Sequence, residues 1–327
     1  MDSLILHDCE QFIANKTAIK QVFPWDGGLI HTCCAGIYSS KGMAVDTQIL
    51  SECRKLLKSK TSVFSNFRSV VSSPLVSLLA TGNTPESTLD NAMMIYKMLK
   101  KQFWSTTFLP LTAMIIAQSA EPCEFERIVG RTRNIYSLMK SNHPFLTSGD
   151  DNALCALMAL SVKTDEALLA DMEECYRILK KQFSFANAVQ SLSHVLALCD
   201  GSSADKCDRT IRLFNALKDS GRKYGTGYEL ASLGVLAMTA SDFSGTAATM
   251  KEIDTWLSKQ KGFGVMGAVS KRQRLMYAGI IACKNHIDSS AIQIASINGT
   301  VSMIIAYQAA ICASVAASAA AASSAST

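Results

Sequence analysis

Residues Leu154 to Lys180 read LCALMALSVKTDEALLADMEECYRILK, and this stretch decides the fold. Its first part, ending in Leu157-Met158-Ala159, is apolar around more than half of a helical circumference. A short polar turn follows. In the second part Leu168, Met172, Cys175, Tyr176 and Leu179 fall at i, i+4, i+7, i+8 and i+11, which is one face of a helix. An apolar helix joined to an amphipathic one predicts a helical hairpin whose first member is the buried one.

Both halves recur along the chain. The aliphatic-aliphatic-Ala pattern, with Met admitted once, returns at Leu78-Leu79-Ala80, Ile115-Ile116-Ala117, Val195-Leu196-Ala197, Val235-Leu236-Ala237 and Ile280-Ile281-Ala282. The aromatic position returns as Tyr96, Tyr136, Tyr176, Phe214 and Trp256, in steps of 40, 40, 38 and 42 residues. A fixed period of this length is the mark of stacked helical hairpins. It predicts an all-α fold of tandem hairpins of about 40 residues, α-solenoid-like or α/α superhelical. The small Ala lets a neighbouring helix approach closely, and the changing aromatic reads as a packing wedge between units. Starting signals for the second helices include Thr84-Pro85-Glu86, with a cap oxygen, a first-turn proline and an acid at the positive end of the dipole.

Three segments follow from this pattern. Residues 1–60 read as an N-terminal helical cap and a degenerate hairpin, because a terminal unit otherwise exposes its apolar face. Residues 61–288 form the hairpin array. Residues 289–327 carry no charge and are rich in Ala and Ser. They read as an Ala-rich helix and tail, packing on the end of the stack or pairing with a second copy. Polar residues such as Ser302, Gln308 and Ser314 interrupt any stretch long enough to span a bilayer.

The bulk composition is consistent with this reading. The 327 residues are 48% hydrophobic with only 6 Pro and 18 Gly, too few turn formers for an all-β protein. A net charge of +5 falls short of what a dedicated nucleic-acid binder concentrates. The 11 cysteines show neither CxxC pairs nor zinc spacing and read as reduced, buried thiols of a cytoplasmic protein. The first residues lack the basic start and apolar core of a signal peptide.

Candidate chemistry is sparse. The loop His143-Pro144-Phe145-Leu146-Thr147-Ser148-Gly149-Asp150-Asp151 gathers a His and two carboxylates, types that could bind a divalent metal or divide acid and base roles. An acid there also serves the start of the helix at Ala153. His194 lies within an apolar helix, where a hydrogen-bonded core residue is the simpler reading. Lys100, Lys140, Lys180 and Lys218 each stand four residues after the repeated aromatic, and Gln260 breaks the series. Stacking would align them as a basic ridge for phosphates or an acidic partner. Cations at helix C-termini also stabilise by themselves. No Walker loop, strand-bound GxGxxG or HExxH is present, so no cofactor is implied.

Several short motifs carry a resemblance: Phe64-Ser65-Asn66-Phe67-Arg68-Ser69, Phe108-Leu109-Pro110-Leu111, the His143 to Thr147 loop with Asp150-Asp151, and Gln190-Ser191-Leu192-Ser193-His194. Through them the chain resembles, over nearly its whole length, the bacterial family called domain of unknown function 4003. That resemblance implies a cytosolic bacterial helical protein and brings no established activity or site.

Two functions are consistent with these residues. One is a non-enzymatic helical-repeat scaffold that binds a protein or peptide, rather than nucleic acid or membrane. The other is an enzyme of hydrolase type, metal-dependent or not, in a closed ring of hairpins with His143, Asp150, Asp151 and His194 as its polar centre. The second requires those side chains to converge in one concave pocket.

Overall fold

The computed structural model describes residues 1–264 and 267–283. The uncharged C-terminal segment, with its expected helix and tail, lies outside the described residues. Within them the chain forms fourteen α-helices, three short 3-10 turns and no strand. They are α1 (Ser3–Val22), α2 (Gly28–Ser40), α3 (Thr47–Lys60), α4 (Ser72–Ala80), α5 (Pro85–Lys100), α6 (Leu109–Ser119) and α7 (Phe125–Asn142). The second half continues with α8 (Asn152–Leu160), α9 (Asp165–Leu179), α10 (Ala186–Ala197), α11 (Ser203–Asp219), α12 (Leu230–Thr239), α13 (Phe243–Leu257) and α14 (Lys271–Cys283).

Hydrophobic pattern sorts the helices into two layers. The even-numbered members are shorter and mostly buried, although α14 starts with the polar run Lys271-Arg272-Gln273-Arg274. In α6 nine consecutive residues, Leu109 to Ala117, are buried, and in α8 the eight from Asn152 to Ala159. Each fully buried Leu or Ile contributes roughly 1.5–3 kcal/mol, and all six Ala triplets fall in the even-numbered helices. The odd-numbered helices bury one stripe only, as α9 does with Leu168, Met172, Cys175 and Leu179.

The contacts close on themselves. Each even helix lies against the next even helix from α2 to α14, and α14 returns to α2. The odd helices likewise follow one another from α1 to α13, and α13 meets α1. The leading helix, expected as an end cap, therefore also meets the last described helices, α13 and α14. At this seam Phe12 packs on Phe263 and Tyr277, with ring centroids 6.1 and 5.6 Å apart. The Tyr277 hydroxyl lies 2.9 Å from Cys33 Sγ, and Lys16 Nζ donates to the Lys261 carbonyl at 3.1 Å.

The aromatic series occupies corresponding places. Tyr96, Tyr136 and Phe214 each receive a near-perpendicular ring from the loop before the preceding inner helix: Phe67, Phe103 and Phe183, at centroid distances of 5.1, 5.3 and 5.1 Å. Edge-to-face pairs of this kind add about 0.5–1.5 kcal/mol beyond area burial.

All outer helices run the same way around the ring, so its two ends differ in charge. Their N-termini gather Asp46, Glu86, Glu121, Asp165 and Asp242, which favour the positive end of the dipole. Asp46, Thr164, Ser202 and Asp242 accept from backbone N–H groups there, whereas Thr84 makes no such bond and leaves the start to Pro85. At the same end, inner-helix C-termini are capped by cations. Arg131 donates to the Ala159 and Ser161 carbonyls at 3.0 and 2.6 Å, and Lys163 to Ala197 and Cys199 at 2.8 and 2.5 Å. Lys206, fully buried, is held by Asp171 and the Cys199 carbonyl. The opposite end carries the lysines of the outer-helix C-termini.

Candidate functional site

The loop between α7 and α8 carries the densest set of polar groups, and local geometry places each one. His143 caps α7, its backbone N–H donating to the Met139 carbonyl at 2.8 Å. Its Nε2 lies 3.0 Å from both carboxylate oxygens of Glu173 on α9. The imidazole rests on Tyr176 with centroids 4.9 Å apart. Phe67, Phe103 and Phe183 hold the corresponding place in other hairpins, so His143 is the polar member of a packing series.

Asp150 and Asp151 lie in a 3-10 turn that leads directly into α8. The cap itself is Ser148, and Asp151 answers it by accepting the Ser148 backbone N–H at 2.8 Å. Burial pushes the Asp151 carboxyl up to about 7, with Asp150 adding repulsion, while the Ser148 hydrogen bond and Lys140 oppose. Burial also raises Asp150. The loop is fixed from below by Gln190 on α10, which donates to Thr147 Oγ1 at 3.0 Å. Gly149 permits the close approach of the neighbouring loop, since a Cβ there would meet the Thr106 methyl at 2.6 Å.

His194 sits in the interior of α10, 2% exposed, and its Nδ1 has no partner. Burial lowers its pKa to about 3, with His143 contributing repulsion, so it is a neutral imidazole at neutral pH. Asn152 Oδ1 and Thr106 Oγ1 are likewise buried without a partner. His143, Asp151 and His194 thus belong to one region of the ring. Their polar atoms point into Glu173, a backbone amide and the core respectively. Among the described residues no group of three His, Cys, Asp or Glu is placed to hold a metal ion. The described pocket lies elsewhere, at Asp8, Gln11, Ser39, Gly42, Met43 and Ile281.

The four lysines share one end of the ring without forming a free ridge. Lys140 Nζ donates to the Pro144 carbonyl and, at 2.7 Å, to that of Thr147. Lys180 Nζ donates to the Ser184 carbonyl at 2.8 Å. Lys100 Nζ sits 5.7 Å from the Tyr96 ring centroid, and Lys218 is exposed. Lys140 and Lys180 brace the loops that enter the next inner helix.

Those loops hold what the sequence reading missed. Trp25, Phe64, Trp104, Phe145 and Phe185 stand one per loop, in steps of 39, 40, 41 and 40 residues. They are 93, 97, 94, 98 and 62% exposed. The period was a usable signal, but an apolar residue in a turn belongs to no helical face and the hydrophobic pattern passes over it.

The class that the described residues define is an all-α protein. The chain belongs to the family described as Protein of unknown function (DUF4003), whose model matches residues 15–310. No curated protein and no solved structure matches it. Among the described residues no helix is long and apolar enough to cross a membrane.

Proposed function

We propose that the protein is a non-enzymatic scaffold of the bacterial cytoplasm that binds a protein or peptide. In this reading the hairpins are copies of one α-solenoid-like unit, curved until the first meets the last. The observation that carries it is the occupation of the candidate polar groups. His143 is engaged by Glu173, Asp151 by the Ser148 amide, and Lys140 and Lys180 by loop carbonyls. A helical wall with its reactive groups so engaged acts through its surface. Ile49, Met94 and Val162 are exposed apolar residues away from the lysine-bearing loops, at 45, 47 and 102%.

Photo-cross-linking residues placed at Ile49, Met94 and Val162 in the source cells test this reading. A discrete protein adduct from at least one position supports it, and adducts from none overturn it. Comparing the full chain with one ending at residue 288 by light scattering reads self-association through the C-terminal segment.

The enzyme reading retains one observation, the unpartnered Asn152 Oδ1 beside Asp151, a carboxyl that titrates close to neutrality, together with the unpartnered His194 Nδ1 buried in α10. Such a group is a candidate acid or base. A hydrolytic activity lost in both His194→Gln and Asp151→Asn, with folding intact, would favour it over the scaffold.

A further inference from the structure

The end of the ring where outer helices hand over to inner ones presents five aromatic side chains to solvent. Trp25 follows α1, Phe64 follows α3, Trp104 follows α5, Phe145 follows α7 and Phe185 follows α9. Four of them are more than nine-tenths exposed, so each protrudes from its loop rather than covering a neighbour. The same loops also fold a ring inward, Phe23, Phe67, Phe103 and Phe183 being no more than 7% exposed, so the outward tips are additional to the rings that pack. Single exposed apolar residues need no explanation, but an aromatic tip repeated loop after loop at one end of a fold is not random scatter.

The same end is basic. Lys20, Lys58, Lys101, Lys181, Lys223 and Lys261 are exposed in or beside these loops. The exposed acids there are Asp150 and Asp219, while Asp26 accepts from Ser73, and Asp151 and Glu229 are buried. Helix dipoles account for the lysines alone. They give no reason for aromatic tips at the same places.

We propose that this end of the ring docks on an anionic phospholipid surface, with the aromatic tips entering the headgroup boundary and the lysines meeting lipid phosphates. Three features favour a bilayer over other anionic partners. The tips are isolated from one another, one per loop around a ring, and a fluid plane accepts all of them at once, where a folded partner would need a matching circle of pockets. Trp and Phe are the side chains that settle at a membrane interface, and lysines beside them add attraction to anionic lipid. A single nucleic-acid strand needs a continuous cationic track beside its stacking platforms. Lys140 and Lys180, which flank Phe145 and Phe185, are turned onto loop carbonyls instead. Docking of this kind leaves the outer wall and the acidic end free, so it goes beyond the scaffold reading and stands or falls separately from it.

Co-sedimentation of the full chain with vesicles tests the proposal, using phosphatidylcholine alone and an equal mixture with phosphatidylglycerol. Binding is expected to the mixture, weakened by added salt. The triple variant Trp25→Ser, Trp104→Ser, Phe145→Ser is expected to lose about tenfold or more in partitioning. Its circular dichroism should be unchanged, because the removed rings make little contact with the core. In a Trp256→Phe background, the emission of Trp25 and Trp104 should shift to the blue on vesicle binding. No binding to the mixed vesicles overturns the proposal, as does binding that the triple variant leaves intact. Quenching of the same tryptophans by a single-stranded oligonucleotide, without a vesicle response, reassigns the surface to nucleic acid.

Discussion

At the scale of single residues, burial shifts Asp151 and His194 in opposite directions. The Asp151 carboxyl is raised by burial from its usual 3.8 to about 7. The folded protein therefore holds that proton more tightly than the unfolded chain does. This contribution is full below pH 4 and is lost as pH rises through 7. His194 is depressed by burial from 6.5 to about 3. The unfolded chain takes up that proton first, so this contribution is full above pH 6.5 and is lost as pH falls towards 3. The windows overlap and the slopes have opposite sign, so between pH 4 and 6.5 they nearly cancel. We expect Asp151→Asn, which keeps an acceptor for the Ser148 amide, to become more stable as pH rises across this window. His194→Leu should become less stable over the same range. Each slope should amount to about 2 kcal/mol, the raw shifts being discounted for local relaxation. Urea midpoints at pH 4.5 and 6.5 read both variants, and parallel responses would show that the two groups are not buried as described. In the sequence both residues were visible as candidates. Their behaviour was not, because burial depends on α8 and α10 meeting across the loop.

At the scale of elements, the inner helices α4, α6, α8 and α10 are each entered through a loop whose ring packs on the next outer helix. Phe183 against Phe214 is such a joint, with Phe183 only 2% exposed. Phe183→Ala should cost about 3 kcal/mol, from lost burial and a residual cavity. His143 fills the same place with a polar ring that is partly exposed beside Glu173. His143→Phe should therefore cost less than about 1 kcal/mol or stabilise slightly, since the site already accepts Phe in other hairpins. Thermal unfolding of the two variants checks the contrast, and a severe loss in His143→Phe would mean that its contact with Glu173 matters more than its packing. This joint was half legible. Tyr96, Tyr136 and Tyr176 announced themselves by period, and the Ala triplets correctly marked the buried helices. Their partners Phe67, Phe103 and His143 lie in loops, where no periodicity distinguishes a wedge from an exposed tip such as Trp104. Lys206 shows the same limit from the other side. Amid Asp205 and Asp208 it looks solvated, yet the long stem lies inside with its charge on Asp171.

At the scale of the whole molecule, the seam between α1, α2, α13 and α14 decides how the protein unfolds. Nothing local in the sequence encodes it, because the contact joins residues more than two hundred positions apart, as Cys33 and Tyr277 are. An open array of hairpins has two free ends, and damage to a terminal unit frays that unit first. In a closed ring each hairpin has two neighbours, and opening the seam removes support from both ends at once. Phe12 is the test position, fully buried between Phe263 and Tyr277. Phe12→Ala should cost about 3–5 kcal/mol by the usual cavity argument. The loss should also be felt on the far side of the ring. Amide hydrogen exchange in α6 and α8, which pack on each other away from the seam, should accelerate by a factor comparable to that in α1 itself, because the most protected amides exchange through global opening. Acceleration confined to α1, α2 and α14 would mean that the seam opens by itself and that the hairpins behave as a linear array.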